Sequence, residues 1–133
     1  MEDSVFTKIK KGEIPSHKVF ENDSAFAFMD IAPMADGMVV IASKSQIANL
    51  EDLPEDEYQG MWAAAQKISK ALRQTFPEQK KIGVMVEGLE VDHAHIKLFP
   101  FTTNEQYRNL HDGSEPDHEQ LADFAQQIRE AIS

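Results

Sequence analysis

His93-Ala94-His95-Ile96-Lys97-Leu98-Phe99-Pro100 is the stretch from which the rest of the chain is read. Its side chains alternate with the period of two expected of a strand, and residues two apart on a strand share a face. His93, His95, Lys97 and Phe99 then project one way, and Ala94, Ile96 and Leu98 project the other way into a core. Three potentially cationic groups follow one another on one face at about 6–7 Å per two-residue step. Like charges so close depress one another's protonation, which keeps at least one imidazole neutral near neutral pH. A neutral imidazole is a nucleophile, and a protonated neighbour or the Lys97 ammonium can hold a phosphate oxygen. Taken alone, the His-x-His pair has two further readings, as surface imidazoles on an open sheet face or as two ligands of a metal. No third ligand is evident nearby, since His111 and His118 would come close only through folding, and no metal or other cofactor is expected.

Upstream, Lys81 to Glu87 reads as a strand and Gly88 begins a loop, while Pro100 is expected to end the histidine strand. Pro54 to Phe76 carries Met61, Ala65, Ile68, Leu72 and Phe76 at three- and four-residue steps, the stripe of a long amphipathic helix. Pro54 lies near its first turn, Glu55, Asp56 and Glu57 sit where the helix dipole favours acids, and Pro77 stops it. The acidic run Glu51 to Glu57 reads as a solvated helix start. Met38 to Ala42 is a short apolar run, a buried strand followed by the polar loop Ser43 to Gln46. Lys18 to Glu21 and Ala25 to Ile31 make a hairpin across Asn22-Asp23-Ser24. At the N-terminus, Ser4 caps a short helix with Val5, Phe6 and Ile9 on one face, ended by Gly12. A last helix starts near Ser114 or Pro116 and turns Leu121, Phe124, Ile128 and Ile132 to one side. The order predicts an α+β fold with a mostly antiparallel sheet, a long central helix and a C-terminal helix, as one domain over residues 1–133.

The 133 residues suit one compact domain, and 41% are hydrophobic, enough to bury a core. With no cysteine there is neither a disulfide framework nor a thiolate site. The opening Met1-Glu2-Asp3-Ser4 lacks the basic-then-apolar order of a secretory signal, and no apolar run reaches the ~18 residues of a membrane span. A cytoplasmic protein without nucleic-acid or membrane partners is expected. Thirteen basic against 23 acidic residues give a net charge of −10, a surface that repels a nucleic-acid backbone. A small phosphorylated ligand then needs its own local donors, and the histidine strand supplies them.

Several motifs in order widen the reading. Gly88-Leu89-Glu90-Val91-Asp92-His93-Ala94-His95-Ile96-Lys97-Leu98-Phe99-Pro100 resembles the His-φ-His-φ-His-φ-φ signature of the histidine-triad (HIT) superfamily, φ being apolar. Phe6 to Ser16 resembles its opening helix and turn, Ala25 to Pro33 its AF-x-D-I-x-P strand, and Gly37 to Ala42 the strand that follows. The resemblance covers about Val5 to Pro100. It implies an α+β domain that pairs as a homodimer through the long helix and a sheet edge, and that binds a purine nucleotide or nucleotide conjugate. It further implies cleavage at the α-phosphate through a nucleotidyl-histidine intermediate. By position, His95 is the nucleophile and His93 its support; Asp30 holds the ribose hydroxyls; Phe6, Ile9, Phe28 and Ile31 surround the base. Judged without the family, Asp30 reads equally well as a turn cap, and the four apolar residues read as core in preference to pocket.

Four positions depart from the pattern. Lys97 stands where the third histidine is expected, Met38 and Gln46 where many members carry histidines, and Val86 where an asparagine often contacts the phosphate side. Lys97 keeps a positive charge but is a point donor that cannot share a proton as an imidazole does. Proton delivery to the leaving group is therefore the role most altered, so a different leaving group or a slower reaction is expected. A non-catalytic nucleotide-binding module is the alternative. His17, His111 and His118 read as ordinary surface residues.

Overall fold

The computed structural model describes residues 2–108 and 114–132. In chain order the elements are α1 (Val5–Lys10), β1 (Lys18–Glu21), β2 (Ala25–Met29), β3 (Val39–Ser43), a 3-10 turn (Leu50–Asp52), α2 (Glu55–Thr75), β4 (Lys81–Met85), β5 (His95–Phe101), α3 (Asn104–Arg108) and α4 (His118–Ala131). The strands form one antiparallel sheet in the order β1-β2-β3-β5-β4. This is the α+β architecture expected from the sequence. No helix among the described residues is long and apolar enough to cross a membrane.

Local chemistry explains the elements. Ser4 caps α1 by accepting from Thr7 N at 3.0 Å, and Gly12 leaves the helix at φ +81°, which a side chain disfavours. The β1–β2 turn closes on Asn22, whose Oδ1 accepts from Ser24 N and Ala25 N, both at 2.8 Å. Its Nδ2 reaches Gly60 O on α2 at 3.1 Å. A Cβ on Gly60 would lie 2.0 Å from Ser24 Oγ, so glycine lets helix and turn touch.

The sheet has two unlike faces because side chains alternate across it. Ala25, Ala27, Met29, Val39, Ile41, Ile96 and Leu98 pack on one face against α2 and α4. The stripe Met61, Ala65, Ile68, Leu72 and Phe76 lies in that core, as do Leu121 and Ile128, with Phe124 and Ile132 partly buried against it. Phe26, Phe28, Val40 and Ala42 face the other way and bury Phe6 of α1, with Ile9 and Val91 alongside. One strand set therefore serves a helical core on one side and, under a single short helix, the site on the other.

Several boundaries differ from expectation. β2 stops at Met29, short of Ile31. β5 continues through Pro100 to Phe101. Phe101 O accepts from Lys80 N, which turns Phe101 toward β4 and Pro100 toward the β3 side, beyond β3's last pairing at Leu98. A missing N–H there removes no ladder bond. His93 precedes β5 instead of starting it. α4 begins at His118, capped by Asp117, which accepts from Gln120 N at 3.1 Å; the expected start at Ser114 or Pro116 is too early. β4 stops at Met85, short of Glu87. Helix α3 and the 3-10 turn were not expected. Glu57 is also more than part of a solvated start, since it accepts from Ser45 Oγ at 2.7 Å.

Candidate active site

β2, β3 and β5 bring the site residues into register: Phe28 pairs with Val40 and Val40 with Lys97, while Phe26 pairs with Ala42 and Ala42 with His95. Over this face α1 leaves a cavity of about 180 Å³. Phe6, Ile9, Phe28, Asp30, Ile31, His95 and Lys97 all line it. His93 does not; it is fully buried behind His95. Neither imidazole lies on an open face, which removes the surface reading of the pair. Among the described residues no three His, Cys, Asp or Glu side chains gather as a metal cluster.

The tautomers follow from the partners. A carbonyl only accepts, so His95 Nδ1, 2.6 Å from His93 O, carries the proton and leaves its lone pair on Nε2. His93 Nε2 donates likewise to Ser43 O at 2.7 Å. In neutral His93 the remaining Nδ1 accepts from Ser4 Oγ at 2.6 Å. Thr7 Oγ1 then donates to Gln46 Oε1 at 2.6 Å, and Ser4 N donates to the same oxygen at 2.8 Å. The N-terminal helix is thus wired through His93 to the ring that lines the cavity. Phe6 adds an edge-to-face contact with His95, centroids 4.9 Å apart.

Both imidazoles are held below their ordinary pKa, and the main cause is burial rather than mutual repulsion. The carbonyls of Ser43 and His93 push each value back up; the charge of Lys97 lowers that of His95, and Glu87 and Asp30 raise it. The expected neutral imidazole is present, but desolvation ranks above like charge as its origin.

Asp30 follows β2, and its N donates to Met38 O at 3.0 Å. Its Oδ1 accepts from Ala32 N at 2.8 Å, so the turn-cap reading holds for that oxygen. Oδ2 is buried without a hydrogen-bond partner; Lys97 Nζ stands 3.3 Å away as an ion pair. Phe6 and Phe28 belong to a buried cluster and also line the cavity, so core and pocket are one surface. Ile31 is 51% exposed at the rim.

The departing positions have distinct surroundings. Met38 is buried, and its Sδ accepts from Met34 N at 3.3 Å. Gln46 joins the α1 network. Val86 lines a second cavity of about 270 Å³, which His95 and Glu87 share with the first. His17 and His118 are not independent surface residues: their rings hydrogen-bond at 2.9 Å, Nε2 to Nδ1. His111 lies outside the described residues. Sequence reasoning missed Ser4, Thr7 and Ser43 as site residues, and it marked Gln46 only as a departure from the family pattern. Ser4 showed only as a cap, and no spacing rule links it to His93, 89 residues away. Glu87 and Glu90 also line the cavity and were not singled out.

A model of the HIT domain matches residues 11–104. The adenosine 5'-monophosphoramidase HNT1 of Saccharomyces cerevisiae is 34% identical over 96 residues, 72% of this chain and 61% of that protein's length. The protein of the same name from Candida albicans is 34% identical over 104 residues, 72% of this chain and 68% of that one. Among solved structures, a Hit-like protein from Bartonella henselae involved in cell-cycle regulation superposes with a TM-score of 0.86 at 31% identity, covering 98% of this chain and 96% of the other.

Proposed function

Because this chain belongs to the HIT domain family, we propose that it is a nucleotide phosphohydrolase or phosphoramidase acting at the α-phosphate of a purine nucleotide conjugate. The carrying observation is the ring of His95, which lines the cavity while His93 O holds its Nδ1 proton, so that Nε2 bears the lone pair. Nε2 attacks the α-phosphorus; the new N–P bond forms as the bond to the leaving group breaks, and water then releases the nucleotide and restores the imidazole. His93 is a positioning residue here. Lys97, in the place of the third triad histidine, offsets phosphate charge; Asp30 receives the ribose hydroxyls; Phe6, Ile9, Phe28 and Ile31 flank the base. Two further parts of the reading are a cytoplasmic setting, in keeping with the cysteine-free chain, and a homodimer through α2 and the β4 edge, where Tyr58 and Val84 are exposed.

The test is AMP release from a fluorogenic adenosine phosphoramidate and from a diadenosine polyphosphate. Turnover by the wild type and its loss in His95→Ala are expected; equal rates in the two proteins would remove His95 from the chemistry. The ion pair between Lys97 and Asp30 favours a second reading, a nucleotide-binding module without turnover, because the ammonium is engaged away from any leaving group. In that case AMP raises the melting temperature while neither substrate is cleaved.

A further inference from the structure

Asp30 and Lys97 have separate tasks in the proposed function, one for ribose and one for phosphate. In the structure they are each other's partners. Asp30 sits at the end of β2 and Lys97 on β5, with β3 between them. Their side chains meet over β3, at 3.3 Å between Nζ and Oδ2. The pairing is incomplete on the carboxylate side. Oδ1 is committed to Ala32 N, whereas Oδ2 is buried and accepts no hydrogen bond from the protein. The residue is only 8% exposed and lines the cavity. A desolvated carboxylate oxygen in this position has unused capacity for donors that a ligand must bring.

We propose that Asp30 and Lys97 form an exchange pair that makes the site selective for intact ribonucleoside 5'-phosphates over nucleosides and free phosphate. This rests on the nucleotide reading of the cavity and deepens it. Ribose hydroxyls donate to Oδ2 and take over the stabilisation of the carboxylate. The ammonium, no longer held, turns to the phosphate beside His95, two residues back on the same face of β5. Rotation of the lysine side chain suffices, because the backbone of Lys97 is fixed between Val40 and Met85. A nucleoside alone must separate the pair without offering the ammonium a new anion. Inorganic phosphate alone must draw the ammonium away and leave a buried carboxylate unpaired. Each half-ligand meets a cost that the whole ligand avoids.

The pair gives a signature that a fixed phosphate-binding lysine does not. Calorimetric titrations of the full chain with adenosine, AMP and inorganic phosphate decide it, with folding of each variant checked by thermal melting. Lys97→Met should weaken AMP about tenfold, the loss of one charge-assisted contact, yet tighten adenosine severalfold. Asp30→Asn, which keeps an oxygen for Ala32 N, should tighten inorganic phosphate severalfold and weaken adenosine. Adenosine affinity unchanged in Lys97→Met, together with weakened AMP, would overturn the exchange and leave Lys97 a plain phosphate donor. Phosphate affinity unchanged in Asp30→Asn overturns it equally, and decides the matter if Lys97→Met does not fold. Failure of AMP to bind the wild type at millimolar concentration would remove the nucleotide reading and the exchange with it.

Discussion

Replacing Ser4 by alanine removes one oxygen from the surface of α1 and should disturb the centre of the molecule. The hydroxyl has two jobs. It accepts from Thr7 N at 3.0 Å, which caps α1, and it donates to His93 Nδ1 at 2.6 Å. Loss of a serine cap costs about 1 kcal/mol. His93 is fully buried, and leaving its Nδ1 without a donor costs about 1–3 kcal/mol. The sum is about 2–4 kcal/mol, and at about 3–5 °C per kcal/mol for a chain of this size the melting temperature should fall by roughly 6–20 °C. Ser4→Asp separates the two jobs. A carboxylate still caps the helix but cannot donate to neutral Nδ1, so it favours the protonated ring and raises the pKa of His93. Thermal melts by circular dichroism report the stability, and ¹⁵N chemical shifts of the imidazole nitrogens report the protonation of His93. A Ser4→Ala melt within about 1 °C of wild type, with unchanged His93 ring shifts, would refute the claim that the N-terminal helix is wired to the site through this serine.

Two further outcomes follow from the same geometry. Stability should fall on acidification. The unfolded chain protonates His93 and His95 around their ordinary value of 6.5, whereas burial holds the folded values lower. Above that value both states are neutral at these rings, and below it the unfolded chain takes up protons first, so up to about 1.4 kcal/mol per pH unit is lost per imidazole until the folded values are reached. Glu21, held at about 2 by Lys18 and Lys44, titrates at lower pH. Melts between about pH 5 and 7.5 check this, and His95→Gln should flatten part of the slope; an unchanged slope would mean that the ring titrates alike in both states. Gly83→Ala should destabilise by about 1–3 kcal/mol through overpacking, because the added Cβ lies 2.8 Å from the ring of fully buried Phe99 on the neighbouring strand. A denaturant midpoint equal to that of the wild type would show that the ring has room to move.

Much of the fold was legible because it rests on periodicity. The stripe from Met61 to Phe76 needs only a helical repeat and a core to face. The alternation from Ala94 to Phe99 needs only a strand, and Ile96 and Leu98 reach the helical core while His95 and Lys97 take the opposite face. Asn22-Asp23-Ser24 announced its turn through side chains that bond their own backbone. Thr103 and Gln106 carry a readable signal for α3: they are spaced as a capping box, and Gln106 N donates to Thr103 Oγ1 at 3.3 Å. The extent of β5 was misjudged because a proline interrupts a strand only where its missing N–H faces a neighbour, and the neighbour is set by the sheet.

The site divides along the same line. From the chain alone came the residues that share a strand face and the motifs whose order resembles the HIT family: His95, Lys97, Asp30 and the apolar residues around them. Local patterns encode which way a side chain points. Only the tertiary structure decided what each meets there: that burial outweighs repulsion in keeping the imidazoles neutral, that Ser4 bonds His93 while Gln46 holds Ser4 and Thr7 across long sequence separations, and that the Lys97 ammonium rests on the Asp30 carboxylate. Desolvation, hydrogen bonding and ion pairing depend on distances in space, and such distances exist only once β2, β3 and β5 lie side by side.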